Sequence, residues 1–142
     1  MSTGAATRGS DRGSAAVELV LVTPLLVTVL LVVVGLGRLA DVRLTVVDAA
    51  HQAARAASLA RTDAQARTEA QSATQGALGS AESPCSRPSV TLAAAGLTPG
   101  ASTSATVVCT VSMGDLVLAG FPGSVTVRAS ADSPIDVYRG LP

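Results

Sequence analysis

The pattern of apolar and polar residues changes twice along the chain, and its first part is an uninterrupted apolar run. Residues 19–37 contain no charged side chain over 19 positions, which is close to the ~20 residues that a helix needs to cross the hydrocarbon core of a membrane. The alternative is a cleaved secretory signal, but the apolar region of such a signal is usually only about 7–15 residues long. We therefore predict a retained transmembrane helix over residues 14–38, with a kink at Pro24.

A second pattern follows directly after the apolar run. Apolar residues recur at spacings of three and four from Leu39 onward, which is typical of a helix with one apolar face. This stripe consists of Leu39, Val42, Val46, Ala49, Ala53, Ala56, Ala60 and Ala64. We expect one unbroken helix over residues 14–78, because the signals that end a helix, Gly76, Gly79 and Pro84, come only near its end.

In the last third of the chain the period changes from helical to alternating. Apolar side chains occupy every second position of residues 105–113 and 124–131, and the positions between them are polar except for Val108. This alternation indicates half-buried antiparallel strands. Residues 89–94 form a weaker first strand, and the turn after it begins at Thr98. The alanine face of the preceding helix is the available cover for such a sheet. The predicted fold class is α+β, with a long N-terminal helix and a small three-stranded antiparallel sheet. The loop between the last two strands is expected to fold over the sheet edge through Leu116, Leu118 and Phe121.

The residues that flank the apolar run predict how the chain lies in the membrane. Arg8 and Arg12 precede the run in a short tail, which favours an N-terminus in the cytoplasm. Residues 39–142 then form an extracytoplasmic domain. Cys85 and Cys109 fit that placement, because an even pair of cysteines in an oxidising compartment is normally a disulfide, although two separate buried thiols are the alternative.

Candidate chemistry for catalysis is sparse. The only histidine, His51, lies on the polar face of the predicted helix with Asp48 close by, and no cysteine or histidine cluster has the spacing of metal ligands. The ten basic and ten acidic side chains balance, so no electrostatic footprint for nucleic acid is present. We predict that the protein is not an enzyme and that it needs no cofactor, no metal and no nucleic-acid partner.

Glu18 is the residue that points to a function. A carboxylate beside a membrane segment suggests a functional site with a partner, although an acid near a helix N-terminus is also favoured by roughly 0.3–1 kcal/mol without any such role. Its surroundings follow a particular order in the sequence: Arg12, Gly13, four small or apolar residues, Glu18, and then an apolar run with Pro24 inside it.

This order resembles the prepilins of bacterial type IV pilus systems, and within them the TadE-like pseudopilins of the Flp (tight adherence) pilus. The segment GSAAVELVLVTPLL from Gly13 is similar to their glycine, small residues, glutamate and mid-helix proline. The segments GRLADVRLTVVDAAHQAARAASLA and GSVTVRASADSPIDVYRG are similar to their helix and to their final strand and tail. The sequence departs from the family at Leu19, where these proteins usually have Phe or Tyr.

The resemblance implies that a prepilin peptidase cuts between Gly13 and Ser14, so that residues 1–13 are a leader peptide. It also implies that Glu18, the fifth mature residue, acts in assembly by pairing with the Ser14 amine of a neighbouring subunit. The expected partners are the peptidase, other pilin subunits, the pilus and secretion machinery of the cytoplasmic membrane, and lipid. The main alternative is an uncleaved single-pass anchor that presents a binding domain at the cell surface.

Overall fold

The computed structural model describes residues 11–79, 85–94, 97–114, 120 and 123–138. Within them the chain forms two helices and then one sheet, which confirms the predicted α+β class. The elements in chain order are α1 (Asp11–Leu59), α2 (Asp63–Leu78), β1 (Cys85–Ala94), β2 (Ser102–Ser112) and β3 (Ser124–Pro134). Two parts of the prediction lie outside the described residues: the first ten residues of the leader, and the last loop with Leu116, Leu118 and Phe121.

Helix α1 has two halves with opposite environments. Its 49 residues span roughly 74 Å at 1.5 Å per residue. In the first half the large apolar side chains from Val17 to Leu36 are mostly exposed, whereas Val42 and Val46 are buried in the domain. Within the described residues, Ala15–Leu59 is the one helix long and apolar enough to be a candidate membrane span, and only 6% of its most apolar window is buried inside the protein.

The prediction of one unbroken helix over residues 14–78 is wrong, because the chain turns at Ala60–Thr62. Thr62 is the N-cap of α2, and its hydroxyl accepts the Gln65 backbone N–H at 3.2 Å. The Gln65 side chain reaches back and accepts the Arg61 N–H at 3.2 Å. The bond to the Thr62 hydroxyl satisfies a donor that a helix start leaves without a partner, so Thr62-Asp63-Ala64-Gln65 begins a new helix that packs against α1.

The sheet is an antiparallel meander with the strand order β1-β2-β3. Strand β2 pairs with β3 without interruption from Ser102 opposite Pro134 to Ser112 opposite Ser124. The predicted alternation is confirmed, since every second residue of β2 is buried. The side chains that β2 and β3 bury are mostly small: Thr103, Ala105, Val107, Cys109, Val111, Val127 and Ala131.

The first strand starts earlier than predicted and is irregular. Strand β1 begins at Cys85 rather than Ser89, and its register with β2 shifts between Ser86 and Ser89. Arg87, inside this shift, has a φ of 57°, a left-handed conformation that is uncommon for a residue other than glycine. The strand continues through Arg87 and Pro88 because a bulge leaves its extra residue unpaired and so tolerates a proline.

The predicted cover of the sheet is confirmed, with a different set of alanines. Helix α1 packs on β2 and β3, and α2 packs on β1. Ala56 is only half-buried and Ala64 is exposed, contrary to the predicted stripe. The buried alanines of α1 form a wider band because this helix contacts both the sheet and α2, and they are Ala49, Ala50, Ala53, Ala54 and Ala57. Their small side chains let helix and sheet approach closely.

Two glycines at the end of α2 provide a matched test of this helix boundary. A Cβ at Gly79 would collide with the Gln75 carbonyl oxygen, which accepts the Gly79 N–H, whereas a Cβ at Gly76 would meet no atom within 4 Å. Gly79→Ala should lower the free energy of unfolding by on the order of 1 kcal/mol. Gly76→Ala should raise it by about 0.5–1 kcal/mol. Urea unfolding of both full-length variants in detergent measures this, and shifts of the same sign would contradict the cap geometry.

Candidate functional site

Gly13 lies on α1, two residues after the first described helical position. A Cβ built at Gly13 would meet no atom within 4 Å, and a glycine inside a helix costs about 1 kcal/mol relative to alanine. Neither a turn nor a close contact within the described residues therefore explains why glycine occupies this position.

Glu18 lies on the same helix, a little more than one turn after Gly13, and its side chain is exposed. Ala15, Leu19 and Val22 surround it in a shallow groove along the helix surface. Among the side chains that the structure describes, no basic group forms an ion pair with the Glu18 carboxylate. The described groups that line this groove with Glu18 are apolar, so a carboxylate brought into contact with another helix here would require a partner of opposite charge.

The other polar groups of the apolar run are satisfied within α1. The Thr23 hydroxyl donates to the Leu19 carbonyl oxygen at 2.6 Å, and the Thr28 hydroxyl donates to the Pro24 carbonyl oxygen at 2.8 Å. Such bonds to the preceding turn let a threonine lie in an apolar surrounding without an unpaired hydroxyl. Glu18 differs from these threonines because no described side chain of α1 donates a hydrogen bond to its carboxylate.

Pro24 lies inside α1, and the helix continues on both sides of it. A proline has no N–H to donate to the carbonyl four residues earlier, here that of Val20, and its ring crowds that carbonyl. The predicted kink at Pro24 stays a prediction, while the position of the proline in the exposed half of α1 agrees with the sequence pattern.

Cys85 and Cys109 form a disulfide, as predicted, with their Cα atoms 5.5 Å apart. Cys109 is fully buried on the core face of β2, and Cys85 is the first residue of β1. The bond therefore joins two neighbouring strands, because β1 begins at Cys85 and not at Ser89 as predicted. The disulfide links β1 covalently to β2 beside the register shift between Ser86 and Ser89, where backbone pairing is interrupted.

The remaining candidate side chains stay separate from this segment. His51 is exposed on α1, and the nearby Asp48 carboxylate accepts a hydrogen bond from the Gln52 amide at 2.6 Å. Within the described ranges, no group of three or more His, Cys, Asp and Glu side chains is arranged to hold a metal ion.

One contact that could not be predicted from the sequence links α1 to β3, where the Ser133 hydroxyl donates to the Ser58 hydroxyl at 3.1 Å. Serines are too common for this pair to be found from the sequence.

Comparison with known proteins supports the reading of the N-terminal segment. Residues 13–55 match the family described as TadE-like protein. No curated protein matches the chain, and no solved structure matches it. The matched segment begins at Gly13, includes Glu18 and Pro24, and ends within the part of α1 that covers the sheet. The similarity of the final strand and tail to this family lies beyond the match and stays a prediction. Over residues 13–55, the chain is thus shown to match the TadE-like family, as its glycine, glutamate and proline predicted.

Proposed function

We propose that this protein is a TadE-like minor pilin or pseudopilin that takes part in the assembly of a Flp/Tad-type pilus at the cell envelope. The family match suggests a role in pilus assembly. The observation that carries the finer proposal is the matched segment itself: an exposed apolar helix in which Gly13 has no packing role and Glu18 has no partner among the described side chains. The exposed apolar surface of such a segment is covered, and its carboxylate is paired, only by contacts outside the monomer.

The first step of the proposed function is processing. A prepilin peptidase cuts the bond between Gly13 and Ser14 on the cytoplasmic side of the membrane and removes residues 1–13. The protein is in this step a substrate rather than an enzyme, and it uses no cofactor. Residues 14–38 cross the cytoplasmic membrane, and the domain of residues 39–142 lies outside the cytoplasm. The length of the charge-free run supports this arrangement, because 19 helical residues span roughly 28 Å of a hydrocarbon core about 30 Å thick.

The second step is packing of α1 against the other subunits. Cleavage leaves a positive α-amine on Ser14, and Glu18 of one subunit pairs with this amine on the next. A lone carboxylate among apolar side chains is costly, but a paired one with good geometry is tolerated. The pair therefore favours the arrangement in which neighbouring helices have the correct axial displacement, and it disfavours non-specific association of the apolar helices.

Mass spectrometry of the N-terminus tests the processing step. In cells that express the peptidase, we expect the membrane-extracted protein to begin at Ser14, and we expect Gly13→Leu to leave residues 1–13 attached. Gly37→Leu is the matched control, because Gly37 is an exposed glycine of the same helix with no atom within 4 Å of a built Cβ. An intact leader on the wild-type protein in these cells would refute the cleavage and favour the uncleaved surface anchor.

A further inference from the structure

The sheet has two edges, and they differ in how well they are protected against pairing with a further strand. Strand β1 contains a register shift, Pro88 and the left-handed Arg87, and α2 packs on it. Bulges and prolines of this kind disfavour the addition of another strand. Strand β3 pairs with β2 without a register shift over Ser124–Pro134, and its one proline is the last residue. Neither a bulge nor an internal proline therefore protects β3.

The hydrogen bonds between β2 and β3 establish which backbone groups lie along the other side of β3. The Met113 N–H donates to the Gly123 carbonyl oxygen at 2.9 Å, and the Ile135 N–H donates to the Ala101 carbonyl oxygen at 2.8 Å. Because such pairs alternate along antiparallel strands, the odd-numbered residues of β3 bond to β2 and the even-numbered ones point away from it. We call the backbone groups of these residues the outer edge of β3, and apart from Pro134 they are Ser124, Thr126, Arg128, Ser130 and Asp132.

The outer edge of β3 is regular and open. All of its residues are exposed, and no described residue forms a backbone hydrogen bond with it from the side opposite β2. A row of unpaired N–H and C=O groups is a template on which an extended peptide can add a strand to a sheet. The backbone of β3 is therefore arranged to accept a fourth strand.

Two opposite charges determine which strand can be added. Arg128 and Asp132 lie four residues apart on the exposed face of β3, and their neighbours on β2 are the uncharged Val108 and Ser104. An added strand would place its own side chains directly opposite the two charges, at the distance where opposite charges stabilise a pair of strands and like charges destabilise it. The two charges thus favour a strand whose charges are complementary and disfavour others.

We propose that the outer edge of β3 binds an extended segment of another protein as an antiparallel fourth strand. In the direction of its chain, the segment has a basic residue opposite Asp132 and, four positions later, an acidic residue opposite Arg128. Antiparallel pairing is slightly more stable per residue than parallel pairing. The inference goes beyond the proposed function, because it assigns a binding surface and a kind of partner to the domain.

A second copy of this chain carries the required charges in its own β3, but the direction of its helix excludes it. Pairing of two β3 strands about Ser130 would set Arg128 of each copy opposite Asp132 of the other. Two such strands are related by a twofold axis perpendicular to the sheet, and this axis reverses the direction of α1, which packs on the sheet. Copies inserted in one membrane, as the proposed function requires, cannot pair in this way.

The sequence of β3 nevertheless supplies a probe. The matched peptide is a capped peptide of residues 124–133, which has no membrane anchor and carries Arg and Asp in the required order. The exchanged peptide has the same composition with its Arg and Asp interchanged, so that like charges face each other in this register. Anisotropy of fluorescent peptides measures binding to the full-length protein in detergent. We expect the exchanged peptide to bind about fivefold more weakly, because two charge pairs change from attractive to repulsive.

Exchanging the charges on the protein tests the register. The variant combines Arg128→Asp with Asp132→Arg, which keeps the net charge and alters only exposed side chains. We expect this variant to prefer the exchanged peptide over the matched peptide by a similar factor. An unchanged preference would mean that the peptides bind elsewhere on the protein, and it would overturn the proposal.

Methylation of single peptide nitrogens tests the backbone pairing. In the matched peptide, the nitrogen of the residue equivalent to Ser130 faces the outer edge, whereas that of the residue equivalent to Ala129 points away from it. A methyl group on the first nitrogen should weaken binding by about tenfold or more, because it removes a hydrogen bond and keeps the two backbones apart. A methyl group on the second is the matched control and should have little effect. Equal effects would contradict strand addition.

Hydrogen exchange of the full-length protein locates the bound peptide. The matched peptide should slow amide exchange in Ser124–Pro134 and leave Cys85–Ala94 unchanged. Slower exchange in Cys85–Ala94 alone, or no binding of either peptide at millimolar concentration, would overturn the proposal. Protection of β3 in the protein alone that disappears on dilution would identify a second copy as the occupant, which also overturns it. These measurements involve neither leader cleavage nor assembly, so their outcome is separate from that of the proposed function.

Discussion

Glu18→Ala is expected to leave insertion into the membrane and cleavage of the leader intact and to abolish assembly. The substitution removes an exposed side chain of the monomer, so the fold of the domain should not change. It leaves the Ser14 amine of the neighbouring subunit without its counter-ion beside apolar helices, a loss on the order of 1–3 kcal/mol at each desolvated contact. The loss recurs at every contact between subunits, so its effect on a long assembly is far larger than on a pair.

The measurement is the partition of the protein between sheared surface material and the membrane fraction. Glu69→Ala is the matched control, because Glu69 is an exposed acid on α2, away from the N-terminal segment. We expect this control to partition as the wild type does. Equal partitioning of Glu18→Ala and the wild type would mean that Glu18 is a hydrated interfacial acid, and it would leave the simple anchor as the better account.

Removing the disulfide is expected to have the largest effect on stability. The bond joins residues 24 positions apart, and closing a loop of this length stabilises the folded state by about 3.5 kcal/mol in the chain-entropy model. The buried side chains of the sheet and its cover are mostly alanine and valine, which contribute less per residue than larger ones. A loss of this size is a large share of the ~5–15 kcal/mol that stabilises a typical domain.

Urea unfolding of the full-length protein in detergent measures this loss. Cys85→Ala, Cys109→Ala and the double variant should each lower the free energy of unfolding by a similar amount, since all three remove the same bond. Cys109→Ala should be slightly worse than Cys85→Ala, because Cys109 is fully buried and leaves a small cavity. Reductant should destabilise the wild type and leave the variants unchanged. Additive losses in the double variant would contradict the bond.

Much of the fold follows from short-range patterns in the sequence. The alternation of β2 and β3 predicts which side chains face the core, because successive side chains of a strand point to opposite faces. The break at Ala60–Thr62 was missed because alanines at helical spacing continue across it. The signal that marks it is local: Thr62 followed three residues later by Gln65 is a capping box, and it predicts a helix start independently of the apolar pattern.

The candidate motif can be located from the sequence alone, whereas the surfaces around it cannot. Gly13, Glu18 and Pro24 form a motif within one short segment, so their order in the sequence is enough to find them. The exposed side of α1 could not be found in this way. Which side of α1 is exposed depends on where the sheet and α2 pack, and this follows from contacts between residues far apart in the chain. Leu44 and Ala53 are both apolar, and only the tertiary structure shows that one is exposed and the other buried.

The amount of pilus filament made by cells that lack this protein tests its role in assembly most directly. Filaments sheared from the deletion strain are compared with those from the same strain complemented with the wild-type protein or with Glu18→Ala, and the membrane fraction of each strain is probed for the protein. The account predicts that the deletion strain and the Glu18→Ala strain lose the filaments while the variant protein remains in the membrane. Filaments in wild-type amounts from the deletion strain would contradict it.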